Sequence, residues 1–166
     1  MVKNYKIRSG TAEDITFLKE MLYEAVFWST AAKRIAMEDL FRVPEIAKML
    51  DNWTNRAGDF SLIATNVEGT PIGAAWYRFW TEENHSYGFV DASIPELGIS
   101  VVRKYRGRGL GRELMSRLMD HAKSSGIKKL SLSVDPANYA LQLYQKLGFK
   151  KVSESGTSWT MVKELA

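Results

Sequence analysis

Between Glu96 and Ser125 the hydrophobic period of the chain changes abruptly, and that change limits what this stretch can fold into. The segment "ELGISVV" alternates: Leu97, Ile99 and Val101 share one face, and Glu96, Gly98, Ser100 and Val102 share the other. Beyond "RKYRGRG" the apolar spacing becomes helical, with Leu110, Leu114, Leu118 and Ala122 in one row widened by Met115 and Met119. Arg112, Glu113, Arg117, Asp120 and Lys123 take the opposite face, and Glu113 and Arg117 stand at i,i+4. Gly126 stops the pattern. A half-buried strand thus runs through a tight glycine-rich turn into an amphipathic helix of about residues 109–125.

The rest of the chain supplies similar pieces. "YKIRSG" reads as a first strand, and Thr11 with Asp14 opens a helix carrying Ile15, Leu18, Leu22 and Ala25/Val26. "TAAKRIAMEDLFRVPEIAKMLDNW" reads as helical pieces, with Pro44 leading a helix that ends near Trp53. Residues 60–66 and 71–80 form a hairpin around "EGTP", and "EENHSYGFVDASIP" is an irregular connection. "KKLSLSV" is a strand and "ANYALQLYQKL" a helix ended by Gly148, before strands at "FKKV" and "SWTMVKEL". There is no internal repeat and no linker. The expectation is one mixed α/β domain across residues 1–166.

Composition removes several classes of function. Hydrophobic residues make up 45% and charged residues 25%, an ordinary globular balance. With no cysteine there is no disulfide, no thiolate metal site and no cysteine nucleophile. His85 and His121 are the only histidines: His85 falls in the irregular connection and His121 near the polar face of the long helix, an ordinary solvated position. No metal site is expected. No leader segment and no apolar run of the about 20 residues needed to cross a bilayer are read, so a cytoplasmic protein without a membrane partner is expected. The net charge of +4 is modest for a nucleic-acid binder. Instead Arg103, Lys104, Arg106, Arg108 and Arg112 fall within ten residues with no acid among them, a pattern suited to a compact anion.

The turn itself gives that anion a place. The first amides of a helix lack intrahelical partners and carry the positive end of its dipole. Gly107, Gly109 and Gly111 allow the backbone to wrap closely and aim such amides at an anion. The spacing is G-x-G-x-G, with Arg112 where the dinucleotide fingerprint has its third glycine, and no G-K-[ST] follows. A strain-relieving exposed turn is the competing reading.

Arg106-Gly107-Arg108-Gly109-Leu110-Gly111 resembles the Q/R-x-x-G-x-G/A signature of the GNAT N-acetyltransferase superfamily. The resemblance continues into "ELGISVVRKY" before it and "LSLSVDPANYALQLYQKLGF" after it, covering about residues 94–152. It implies a mixed, mostly antiparallel twisted sheet of about seven strands, with helices on both faces and a splayed parallel pair of fourth and fifth strands. It implies acetyl-CoA as co-substrate, its pyrophosphate on the amides of Arg106, Gly107, Arg108, Gly109, Leu110, Gly111 and Arg112. Ile99 and Val101 would then flank the pantetheine arm, with a Val101 N–H polarising the thioester carbonyl.

The same resemblance gives roles to three further residues. Glu96 is the candidate general base, since only the free amine attacks a thioester; an exposed acid at a strand start is the alternative. Tyr144 is the candidate donor to the departing thiolate, and a packing tyrosine is its alternative. Asn138 would contact the pantetheine arm, although it also suits a helix N-cap. The implied acceptor is a small-molecule or peptide primary amine, attacked directly in a ternary complex, and dimers are frequent among look-alikes. A non-catalytic acyl-CoA sensor is the main rival and a nucleic-acid binder the weaker one. Phe27, Trp28, Trp76, Tyr77, Phe79, Trp80, Tyr87, Phe89 and Trp159 are mostly expected in the core, with an aromatic acceptor wall as the alternative; Glu82, Glu83 and Asp91 read as a solvated acidic loop.

Overall fold

A computed structural model describes residues 3–31 and 33–165. β1 (Tyr5–Ser9) is followed by a single turn at Ala12–Asp14 and helix α1 (Ile15–Val26). The expected start signal is a capping box: Thr11 Oγ1 accepts from the Glu13 amide at 3.2 Å, and Asp14 accepts from the Thr11 amide at 2.8 Å. Arg8 grips Asp14 through two bonds of 2.9 Å and holds its carboxyl below the ordinary range. Two short helices come next, α2 (Met37–Leu40) and α3 (Pro44–Ala47).

Pro44 does open a helix, but that helix ends at Ala47 and not near Trp53. Beyond it the spacing is mixed: the Met49, Leu50 and Trp53 amides donate to Ile46, Ala47 and Leu50 at i−3, and the Asp51 amide donates to Ala47 at i−4. Asn52 then takes a φ of 52°, which no continuing right-handed helix allows. Ile46, Leu50 and Trp53 are buried with Leu18, Met21 and Leu22 of α1 in one apolar cluster.

Strands β2 (Phe60–Asn66) and β3 (Pro71–Arg78) form the expected hairpin region, with β3 ending two residues earlier than the sequence suggests. β4 (Glu96–Val101), α4 (Leu110–Ser124), β5 (Lys129–Val134), α5 (Ala140–Lys146), β6 (Lys150–Ser155) and β7 (Ser158–Glu164) complete the order. A 3-10 turn at Arg103–Tyr105, not anticipated from sequence, lies between β4 and the glycines.

The seven strands form one sheet in the order β1-β2-β3-β4-β5-β7-β6. β1 and β2 are antiparallel from Tyr5↔Asn66 to Ser9↔Leu62, and β7 is antiparallel to both β5 and β6. β4 and β5 run parallel, in register at Glu96↔Ser131. The expected seven-stranded mixed sheet, with its parallel fourth and fifth strands, is the one observed. By its contacts the chain divides into two compact units: residues up to Trp76 with Gly98–Leu118, and Tyr77–Leu97 with the chain from Met119 onward.

Candidate active site

The first unit carries the end of β4, the turn and the start of α4. Val102 donates its amide to Ile72 of β3 at 2.8 Å. Successive amides of an extended strand point to opposite edges, so the Val101 N–H points away from β3, as does its carbonyl. That carbonyl accepts from Arg106 Nε at 2.7 Å, which ties the first residue of the turn back to the strand. Val101 and Arg106 are thus brought together.

The turn has the conformation its glycines permit. Gly107 and Gly109 have φ of 77° and 84°, in the region that residues with a β-carbon rarely adopt. Leu110, Gly111 and Arg112 are the first residues of α4, whose opening amides have no intrahelical acceptor. The Arg106 amide differs from the expectation: it donates to the Arg103 carbonyl at 3.1 Å, so Arg106 can meet an anion only through its side chain. Tyr105 stands beneath two cations, Lys104 Nζ at 5.3 Å and the Arg108 guanidinium at 5.9 Å from its ring centre. Its hydroxyl accepts from Asn66 Nδ2 at 3.2 Å, which fixes the ring.

The face of β4 that carries Glu96, Gly98 and Ser100 is bare at Gly98 for a local reason. A β-carbon on Gly98 would lie 2.6 Å from the Trp76 indole, so residue 98 is bare because that ring fills its place. Ile99 is half-buried and Val101 is buried.

The second unit carries Glu96, Asn138 and Tyr144. Glu96 is half-buried at the start of β4, and its Oε2 accepts from the Gly88 amide at 3.1 Å. It is therefore not the exposed strand-start acid of the alternative reading. Nothing in the sequence marks Gly88, because a glycine in an irregular stretch carries no signal of what it touches. Tyr144 is buried on α5, edge-on to Phe149 at 6.2 Å between ring centres, and burial pushes its phenol pKa well up. Asn138 lies two residues before α5, and Tyr139 takes the formal cap position. The Asn138 side chain still works as a cap, accepting from the Ala140 amide at 2.9 Å.

His121 is a correction. It is half-buried, with Nδ1 2.9 Å from the hydroxyl of the buried Tyr77, and burial lowers its pKa. Of the aromatics, Trp76, Tyr77 and Trp80 are core, whereas Tyr87 is 48% exposed and its carbonyl accepts from Thr160 Oγ1 at 3.2 Å. Among the described residues no group of three or more His, Asp or Glu could hold a metal, and no helix is long and apolar enough to cross a membrane.

Comparison with known proteins places these features in a family. Residues 22–149 match the Acetyltransferase (GNAT) family. An uncharacterised N-acetyltransferase of Methanocaldococcus jannaschii is 26% identical over 99% of this chain and 69% of its own length. An L-amino acid N-acyltransferase of Escherichia coli is 40% identical over 54% of this chain and 50% of its own length. A mycothiol acetyltransferase of Thermobispora bispora is 32% identical over 75% of this chain, which spans only 37% of that protein. Among solved structures, the PaiA N-acetyltransferase of Thermoplasma acidophilum in complex with coenzyme A superposes with a TM-score of 0.70 at 22% identity, over 98% of this chain and 99% of that one. The yncA putative acetyltransferase of Salmonella typhimurium, with acetyl-CoA, gives 0.66 at 22% identity over 99% and 95%. The chain belongs to the GNAT acetyltransferase family.

Proposed function

We propose that this protein, as a single domain over residues 1–166, transfers the acetyl group of acetyl-CoA to the primary amine of a small molecule within a ternary complex. The observation that most supports this is the junction of β4 and α4. There a strand edge facing away from β3 at Val101, two left-handed glycines, the opening amides of a helix and several arginines follow one another. Acetyl-CoA would supply an activated thioester and a pyrophosphate. The amides from Gly107 to Arg112 would take the pyrophosphate, aided by the side chains of Arg106 and Arg108. Ile99 and Val101 would flank the pantetheine arm, joined by Asn138.

Glu96 takes a proton from the acceptor's ammonium group. The freed nitrogen bonds to the thioester carbonyl carbon while the Val101 N–H steadies the developing oxyanion. As the carbon–sulfur bond breaks, Tyr144 gives its proton to the departing sulfur, while the nitrogen releases its second proton to solvent, from which the phenolate is reprotonated, leaving a neutral amide and free thiol. The raised pKa of Tyr144 keeps its proton in place at neutral pH. No covalent acyl-enzyme is needed. The E. coli relative is named for L-amino acids and a Pseudomonas aeruginosa relative for methionine sulfoximine and sulfone, which makes α-amino acids the first acceptors to try.

The test is calorimetric titration of the protein with acetyl-CoA, followed by an amine panel in which released thiol is measured. The expected result is binding that is lost in the double variant Gly109→Val, Gly111→Val, together with thiol release for at least one amine. Binding without thiol release for any amine would favour the sensor reading. No binding at millimolar acetyl-CoA would overturn both.

A further inference from the structure

A carboxylate, Glu24, stands beside the arginines of the cofactor turn. Glu24, in the last turn of α1, is gripped by Arg34 through NH1 to Oε1 at 3.0 Å and NH2 to Oε2 at 3.1 Å. Arg34 NH2 also reaches the Phe27 carbonyl at 3.4 Å, and its guanidinium lies 5.6 Å from the centre of the Tyr23 ring. Tyr23 in turn donates its hydroxyl to the Ile35 carbonyl at 2.6 Å. The segment around Arg34 and Ile35 is thus fastened to the end of α1. Facing this pair, Arg106 NH2 stands 3.9 Å from Glu24 Oε2 while its Nε holds the Val101 carbonyl. All of these groups belong to one unit of the chain.

A carboxylate beside a phosphate-binding arginine competes with the phosphate for it. Here both Glu24 oxygens are already taken in a planar two-bond pairing with Arg34, the stronger geometry for an arginine and a carboxylate. Arg106 is left at the margin of ion-pair distance. Removing Arg34 would free two oxygens to turn toward Arg106.

We propose that Arg34 is a positioning residue for the acetyl-CoA site: by occupying Glu24 it keeps Arg106 available to the cofactor's phosphates. The proposal rests on the reading of the Arg106–Arg112 turn as that site. It also couples α1 and the segment that follows it to cofactor affinity.

The experiment is a double-mutant cycle on the full chain, measuring acetyl-CoA affinity by calorimetry for wild type, Arg34→Ala, Glu24→Gln and the double variant. Arg34→Ala is expected to weaken binding about three- to fivefold. Glu24→Gln alone should change it by less than about twofold, and in the Arg34→Ala background it should restore affinity to within about twofold of wild type. Because the competition is between charges, the Arg34→Ala defect should shrink as salt is raised, which a packing defect would not do. Should Arg34→Ala not fold, as judged by circular dichroism, Arg34→Gln removes the charge while keeping a longer side chain and carries the same cycle. Unchanged affinity in the arginine variant would overturn the proposal and leave the acetyltransferase reading intact. So would failure of Glu24→Gln to restore affinity, or equal tightening by Glu24→Gln in both backgrounds. Absence of acetyl-CoA binding by the wild type would overturn both.

Discussion

Gly88 and Glu96 are packed backbone against carboxylate: the Gly88 amide donates to Glu96 Oε2 at 3.1 Å, and a β-carbon on residue 88 would stand 2.6 Å from that oxygen. The same β-carbon would meet the Leu132 backbone at 3.0 Å, so the segment cannot simply back away. Gly88→Ala must therefore displace the Glu96 side chain. If Glu96 is the base, kcat should fall about tenfold with acetyl-CoA affinity unchanged, and Glu96→Gln should cost about a hundredfold. A loss of cofactor affinity with kcat retained would remove Glu96 from the proton-transfer step.

Tyr144→Phe keeps the ring edge-on to Phe149 and removes only the phenol proton. The expected result is a fall in kcat of about ten- to a hundredfold, with the melting temperature shifted by no more than a few degrees. Since burial raises the phenol's pKa, wild-type activity should show no alkaline loss through the ordinary tyrosine range. An unchanged kcat would leave Tyr144 as a packing residue.

What the sequence showed, and what it hid, follows from how each feature is encoded. β4 and α4 were legible because a burial face writes its period into consecutive residues, as Leu110, Leu114 and Leu118 do with none of the three more than 3% exposed. The α3 boundary was not, because the apolar spacing of Ile46, Leu50 and Trp53 persists after the helix has ended, and only the backbone of Asn52 records the change. Arg106 and Glu96 stood out by type and position. Their partners Glu24 and Gly88 did not, since contacts between residues distant in sequence leave no spacing to read. Arg78 lies within the expected 71–80 strand, where nothing in the sequence marks it as buried, and it is 1% exposed.

Glu113 ties the start of the chain to α4. Its carboxylate accepts from the Tyr5 hydroxyl, from Lys3 Nζ at 2.9 Å and from Arg117 at 2.9 Å. The Tyr5 hydrogen bond, then Lys3, lowers its pKa from 4.5 to about 2, and the same contact raises that of Tyr5 from 10.0 to about 12. A depressed carboxyl stabilises the fold above its unfolded pKa, and that stability is lost as pH falls from about 4.5 toward 2. Tyr5 gives the opposite limb, with stability lost as pH rises from 10.0 toward 12. Because Lys3 and Arg117 are largely exposed, Glu113→Gln should cost about 1 kcal/mol at neutral pH, or about 2–4 °C in melting temperature. Thermal unfolding at pH 7 and pH 2.5 checks this: the difference between variant and wild type should narrow markedly at the lower pH.

His121 gives a second acid-side effect within a milder range. The Tyr77 hydroxyl lies 2.9 Å from its Nδ1, a contact that suits a neutral imidazole accepting the phenol's proton. Burial depresses the His121 pKa below its ordinary 6.5, so the unfolded chain binds the proton more readily than the folded one. Stability is then fully present above 6.5 and declines as pH falls below it. His121→Gln offers Tyr77 an acceptor that does not titrate. Thermal unfolding of both proteins from pH 8 to pH 5 should show the wild type losing stability relative to the variant below about 6.5, with the two curves parallel above it. Curves that stay parallel over the whole range would show that the imidazole takes up its proton equally well in the folded protein, and that the Tyr77 contact does not depend on the neutral ring.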